Sequence, residues 1–88
     1  MARFELLYAP SIVKDLASLP KTDVRRILAR AEALRDDPHP PGSEKLSGSP
    51  ERYRIRQGDC RILYTVDSQR IVVRVVKIAH RREVYRQP

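Results

Sequence analysis

The chain has 88 residues, of which 41% are hydrophobic and 33% charged, a composition that favours one compact domain over a disordered segment. No apolar run is long enough to span a membrane, the first residues do not resemble a signal peptide, and a single cysteine excludes an internal disulfide. The net charge of +7 arises entirely within residues 52–88, which carry ten basic and three acidic residues. We therefore expect one cytoplasmic domain over residues 1–88, with a concentrated positive field in its C-terminal part.

The N-terminal segment predicts a strand followed by a short helix. Residues 3–8 alternate weakly in hydropathy and predict a strand that Pro10 ends. Ser11 is placed to cap the short helix with its side-chain oxygen. Leu19 ends this helix because the residue before a proline, here Pro20, avoids the helical conformation.

A second, longer helix is the clearest element of the sequence. It is expected to begin at Thr22 or Asp23 and to bury one stripe of apolar side chains. The residues of this stripe are Val24, Ile27, Leu28, Ala31 and Leu34. A proline-rich connector at residues 37–43 ends the helix, and residues 45–48 are expected to form a second loop element.

Residues 53–64 predict a hairpin whose two strands join at Gly58 and Asp59. A two-residue turn would pair Gln57 with Cys60, Arg56 with Arg61, Ile55 with Ile62, Arg54 with Leu63, and Tyr53 with Tyr64. Because side chains alternate between faces, one face would carry Tyr53, Ile55, Ile62 and Tyr64, and the other Arg54, Arg56 and Arg61. Like charges directly opposite each other destabilise a sheet, so the second face predicts an anion site.

The remaining sequence completes the predicted fold. The second hairpin strand is expected to extend to about Val66, residues 67–69 to turn, and residues 71–78 to form a strand buried on much of both faces. Residues 79–86 are compatible with a helical turn or an extended tail. We predict an α+β fold of order β-α-α-β-β-β, with two N-terminal helices packed on one face of a small, mostly antiparallel sheet.

The residue types on the predicted hairpin favour phosphate chemistry. Arginine carries a planar fork that matches phosphate oxygens and stays charged at any working pH. In the tail, His80 and Tyr85 are the titratable groups nearest the arginines and are candidates for proton transfer. The predicted basic strands carry no cluster of carboxylates that would bind a metal ion, and no cofactor motif is present. We therefore expect that RNA cleavage, if it occurs, needs no metal and uses the 2′-hydroxyl of the substrate as the nucleophile.

Four segments, in order, carry a family resemblance. They are Lys-Leu-Ser-Gly at 45–48, Tyr-Arg-Ile-Arg at 53–56, Gly-Asp-Cys-Arg-Ile-Leu-Tyr at 58–64 and His-Arg-Arg-Glu-Val-Tyr at 80–85. Together they resemble the RelE branch of the RelE/ParE toxin superfamily, and the order of elements matches over nearly the whole chain. The catalytic residues that the resemblance implies are Arg54, Arg56, Arg61, Arg81 and Tyr85, to which we add His80. The RNA contacts that we expect are Lys45, Arg52 and Arg82.

The resemblance implies the toxin of a type II toxin–antitoxin pair, which cleaves messenger RNA in the ribosomal A site and pairs with an acidic antitoxin in a hetero-oligomer. In the family pattern lysines stand at the positions of Arg54 and Arg56. Arginine does not lose its proton, so these residues are expected to bind phosphate, and the general base is expected to be Tyr85 or His80. Two alternatives stay open: a ParE-like inhibitor of DNA gyrase without catalytic activity, and a non-catalytic RNA-binding module.

Overall fold

A computed structural model of the chain describes residues 3–46 and 51–80. Its elements are β1 (Glu5–Tyr8), α1 (Ile12–Ala17), α2 (Lys21–Ala33), β2 (Glu44–Lys45), β3 (Arg52–Gln57), β4 (Cys60–Asp67) and β5 (Val72–His80). The five described strands form one sheet of order β1-β5-β4-β3-β2, in which the β1–β5 pair is parallel and the other pairs are antiparallel. Both helices contribute side chains to a core on one face of this sheet, so the predicted α+β architecture is confirmed.

The predicted N-terminal strand is present, but the predicted cap of the first helix is not. β1 lies at one edge of the sheet and runs parallel to β5. Ser11 makes no side-chain capping hydrogen bond. Its φ of −65° and ψ of −15° are already helical, whereas a capping residue is extended, which lets its side-chain oxygen accept from an amide two or three residues further along the chain. The chain enters α1 through a turn in which the Ile12 amide donates to the carbonyl of Ala9.

The second helix begins at Lys21, slightly earlier than predicted, because the extended Pro20 offers its carbonyl to the amide of Val24. The predicted apolar stripe is largely confirmed. Ile27, Ala31 and Leu34 are buried, whereas Leu28, at the margin of the stripe, is 37% exposed. In the described part of the chain neither helix is both long and apolar enough to cross a membrane.

The segment expected to be a loop contributes a fifth strand. Glu44 and Lys45 form β2, which pairs antiparallel with β3 at the far edge of the sheet. The amide of Leu46 then donates to the carbonyl of Arg52 at 2.9 Å and closes this pairing. Two residues are too few for an alternating pattern to show, so only the pairing with β3 defines the strand.

The last described strand is buried on one face, not on both as predicted. Val73, Val75 and Ile78 are buried, whereas Arg74 is exposed on the side away from the helices and Lys77 is exposed at the sheet edge, where its Nζ contacts Asp15 of α1. The register against β4 shifts between Leu63 and Tyr64, so β5 holds one extra residue there. This bulge moves the buried positions from an interval of two to an interval of three, which hid the alternation in the sequence.

The core lies between the sheet and the helices, and Tyr64 is its largest fully buried side chain. The core residues are Ile12, Ile27, Ala31, Leu34, Ile55, Cys60, Ile62, Tyr64, Val66, Val73, Val75 and Ile78. The Tyr64 hydroxyl donates to the carbonyl of Pro38 at 2.8 Å, which ties the proline-rich connector to the sheet. Burial raises the pKa of Tyr64 to about 12.

Replacing Tyr64 by phenylalanine is expected to lower the free energy of unfolding at about pH 8 by about 1–3 kcal/mol, because the Pro38 carbonyl loses its donor. The pKa of Tyr64 is about 12 in the folded protein and 10.0 ordinarily, so its contribution is complete below pH 10 and is lost as the pH rises toward 12. The free energy of unfolding of wild type relative to that of Tyr64→Phe should therefore fall by about 2–3 kcal/mol over this range, which removes or reverses the difference seen at pH 8. Urea denaturation at a series of pH values measures it, and a difference that stays constant would contradict the prediction.

Candidate nucleic-acid interface

The hairpin of β3 and β4 has the predicted register at every pair, from Gln57 with Cys60 to Tyr53 with Tyr64. Gly58 has a φ of 60°, a conformation that glycine adopts without steric cost, and it allows the two-residue turn. The arginines therefore stand on the face turned away from the helices, while Ile55 is buried against the core. The predicted separation of the two faces is confirmed.

Further arginines extend this outer surface across three strands. Arg52, Thr65 and Arg74 lie side by side on β3, β4 and β5 in the register of the sheet. We call the outer surface formed by Arg52, Arg54, Arg56, Arg61 and Arg74 the arginine face. Five guanidinium groups on one side of a small sheet generate the positive field that the charge distribution predicted.

The three hairpin arginines differ in what their guanidinium groups contact. Arg54 Nη2 lies 3.0 Å from Glu44 Oε2. Arg56 Nε donates to the carbonyl of Gly58 at 3.0 Å, so this side chain folds back over the turn. Arg61 stands directly opposite Arg56 and is exposed, and within residues 3–46 and 51–80 no carboxylate forms an ion pair with it. Arg61 is therefore the hairpin guanidinium most available to an external anion.

Glu44 is a site residue that the sequence pattern did not indicate. The register pairs Glu44 with Arg54, so a carboxylate from β2 reaches the arginine face. Asp67, the carboxylate that β4 carries on the same side, lies at the end of that strand and pairs with Arg70 instead. Its neighbour Lys45 pairs with Tyr53 and emerges on the other side of the sheet. Lys45, predicted as an RNA contact, is therefore not brought together with the arginines.

The end of β5 places His80 away from the arginine face. The register partner of His80 is Cys60, whose side chain is buried on the helix side, whereas the partner of Arg61 is Ala79. His80 is half-buried at this position. Arg81, Arg82 and Tyr85 lie outside the described residues, and their predicted roles stay predictions.

Asp15 of α1 binds the edge of β5 near the end of that strand. β1 ends beside Val75, whereas β5 continues to His80, so no strand within residues 3–46 and 51–80 lies along the outer edge of β5 beyond that point. The Asp15 carboxylate fills this position: Oδ2 accepts from the Ile78 amide at 3.0 Å and Oδ1 from Lys77 Nζ at 3.2 Å. The register then sets Ala79 beside Arg61.

The comparisons with known proteins were consistent with this architecture. The sequence model of a family described as the ParE toxin of the type II toxin–antitoxin system parDE matches residues 6–85. The chain belongs to the RelE/ParE toxin family. One relative of this chain is named as toxin RelE1 of Methanocaldococcus jannaschii. It is 32% identical over 91 residues, which cover 98% of this chain and 99% of the relative.

Solved structures of RelE toxins place the chain in the RelE-like branch of the family. RelE in the archaeal RelE–RelB complex of Pyrococcus horikoshii has a TM-score of 0.80 and 32% identity, over 90% of this chain and 96% of the other. RelE in the RelB–RelE complex of Methanococcus jannaschii has a TM-score of 0.73 and 27% identity, over 90% and 94%. The isolated Escherichia coli RelE toxin has a TM-score of 0.75 and 26% identity, over 96% and 92%.

This RelE-like chain also has an exposed apolar surface, distinct from the arginine face. A groove of about 290 Å³ lies between the end of β1 and the two helices. Its lining residues are Tyr8, Ala9, Pro10, Ile12, Val13, Leu16 and Leu28. Of the side chains that line it, Val13 is 76% exposed, Tyr8 39% and Leu28 37%. Exposed apolar side chains that are contiguous in this way are typical of a surface that a partner covers.

Proposed function

We propose that this RelE-family toxin is an endoribonuclease that cleaves messenger RNA on the ribosome. The observation that carries the proposal is the placement of Arg54, Arg56 and Arg61 on one exposed sheet face, with Arg61 free of any ion pair in the described part of the chain. A planar guanidinium can bind two oxygens of a phosphate at once, and several of them stabilise the added negative charge of a pentavalent transition state. Relatives at 32% identity that are named as RelE toxins support it.

The proposed reaction uses the 2′-hydroxyl of the substrate as the nucleophile. This oxygen attacks the adjacent phosphorus, the bond to the 5′-oxygen of the next nucleotide breaks, and the products are a 2′,3′-cyclic phosphate and a 5′-hydroxyl. The attack needs a base for the 2′-hydroxyl proton and an acid for the leaving oxygen. Arginine cannot take the proton, so we assign Arg54, Arg56 and Arg61 to the phosphate. Tyr85 and His80 are the candidate proton-transfer groups, and the register of His80 with the buried Cys60 favours Tyr85.

We also propose that an antitoxin controls the protein. A concentrated positive surface is complementary to an acidic segment that folds on binding, and the exposed groove beside β1 offers apolar contacts to the same partner. Similar RelE chains have been solved in complexes with RelB, which supports an antitoxin partner here. The resulting complex would be a hetero-oligomer in the cytoplasm.

Mapping of RNA ends in a reconstituted translation reaction tests the proposed chemistry. The wild-type protein is expected to cut translated messenger at codon-phased positions, to leave 2′,3′-cyclic phosphate ends and to cut the same RNA poorly without ribosomes. Messenger that stays intact in both reactions would contradict the proposal.

DNA supercoiling by gyrase provides the contrasting measurement. The matching family is described by its ParE toxin, so gyrase inhibition without RNA cleavage is the second candidate function. Loss of supercoiling with intact messenger would establish it. Salt-dependent RNA binding with neither effect would instead identify a non-catalytic RNA-binding module.

A further inference from the structure

Glu44 brings a negative charge into contact with the arginine face. Within the described residues it is the one carboxylate that forms an ion pair with a member of the arginine face. The pairing of β2 with β3 sets Glu44 beside Arg54, and the 3.0 Å distance between Oε2 and Nη2 is that of a charge-assisted hydrogen bond. The Arg54 guanidinium therefore already forms an ion pair with a carboxylate of the same chain.

This ion pair is accessible to solvent and to a competing anion. The Glu44 side chain is 67% exposed and that of Arg54 is 35% exposed. Exposed ion pairs contribute little to stability, because water and salt screen them and two long side chains must be held in one conformation. A phosphate that reaches Arg54 can therefore take the place of the carboxylate at small cost to the fold.

We propose that Glu44 is an internal counterion of Arg54 that RNA phosphate must displace, and that it thereby lowers the affinity of the arginine face for RNA. The inference rests on the proposed function and concerns the regulation of the same site. Arg56 contacts a neutral carbonyl and Arg61 has no ion pair in the described ranges, so the effect is specific to Arg54. An anion that binds there meets less repulsion once the charge of Glu44 is removed.

The position of Glu44 in a short edge strand suits an ion pair with Arg54 that can break and re-form. β2 has two residues, lies at the edge of the sheet, and follows Pro40, Pro41 and Gly42 in the connector. The described hydrogen bonds hold this edge to β3 alone among the strands. A short edge strand can shift its side chains without repacking the core, because neither Glu44 nor Lys45 is buried.

Equilibrium binding of an RNA that cannot be cut tests this inference. The probe is a single-stranded RNA of about ten nucleotides with 2′-O-methyl groups, followed by fluorescence anisotropy over a range of salt concentrations. Glu44→Gln is expected to bind about three- to tenfold more tightly than wild type near 0.1 M salt, and its slope of log K against log salt should steepen by about 0.7, the value for one more phosphate contact on a single strand.

Glu32→Gln is the matched control, because it makes the same change of net charge at a glutamate of α2 that pairs with Arg3 and Arg35 on the helix layer. It is expected to change the affinity less than about twofold, since screening removes most of a distant charge. In an Arg54→Gln background the gain from Glu44→Gln should fall to the level of this control.

The outcomes separate the inference from the proposed function. If wild type binds the probe and Glu44→Gln binds no more tightly than Glu32→Gln, or more weakly, the counterion role is wrong while the proposed function stands. If no variant binds the probe, the counterion role is contradicted, whereas the proposed function is decided separately by codon-phased cleavage on the ribosome. A gain confined to Glu44→Gln and dependent on Arg54 supports the inference.

Discussion

Replacing Arg61 by glutamine is expected to lower the rate of ribosome-dependent messenger cleavage about 10²–10³-fold, the usual cost of removing one preorganised donor to a transition-state oxyanion. The same change should leave the folded protein at least as stable as wild type. Arg61 stands directly opposite Arg56, and like charges at such a pair are destabilising by about 0.2–1 kcal/mol. Single-turnover cleavage and urea denaturation measure the two effects.

The opposite signs of these effects distinguish a functional residue from a structural one. Arg26→Gln makes the same charge change on the exposed outer side of α2 and is expected to alter the cleavage rate less than about threefold. If Arg61→Gln cleaves like wild type, the assignment of Arg61 to the scissile phosphate is wrong. A loss of activity that matches a loss of folded protein would show that Arg61 acts through stability.

Replacing Asp15 by alanine is expected to lower the free energy of unfolding by about 2–4 kcal/mol. The substitution removes the acceptor of the part-buried Ile78 amide, and an unsatisfied donor adds its desolvation cost to the lost charge-assisted bond. The exchange of the Ile78 amide hydrogen with solvent should also accelerate, because β4 pairs with the opposite edge of β5 and no described strand lies on the edge that Asp15 contacts. Urea denaturation and hydrogen exchange by NMR check the two expectations.

Two further variants divide the contribution of Asp15 between its two contacts. Asp15→Asn keeps an oxygen that accepts from the Ile78 amide and is expected to cost about 1 kcal/mol. Lys77→Met removes only the ion pair, in which the lysine side chain is half exposed, and should cost less than about 1 kcal/mol. Equal destabilisation by Asp15→Ala and Lys77→Met would show that the ion pair, and not the backbone hydrogen bond, carries the effect.

Local rules predicted the hairpin well. The turn at Gly58 has two residues, so each residue of β3 has one possible partner on β4, and the alternation of side chains then assigns every face. The apolar stripe of α2 was predicted for the same reason, since its period comes from the helix itself. The predicted Ser11 cap was wrong because backbone conformation at a helix start depends on the preceding turn as well as on residue type.

The candidate site was predicted only in part. The sequence indicated the arginines because strand alternation puts them on one face of the hairpin. It did not indicate Glu44, because a strand of two residues is too short to show an alternating pattern. The register likewise moved Lys45 to the other side of the sheet and set His80 beside Cys60. None of these placements depends on residue type alone, since each follows from which strands pair.

The sequence by itself determined the charge distribution. It also determined the two helices, the hairpin register and the strand face that carries Arg54, Arg56 and Arg61, because each of these depends on neighbours within a few residues along the chain. Only the tertiary structure decided that β1 pairs parallel with β5, that the Asp15 carboxylate accepts from the Ile78 amide, and that Glu44 forms an ion pair with Arg54. Those contacts join residues that are distant in sequence or lie in elements too short to show a pattern. They form when the core brings whole elements together, and no local propensity encodes them.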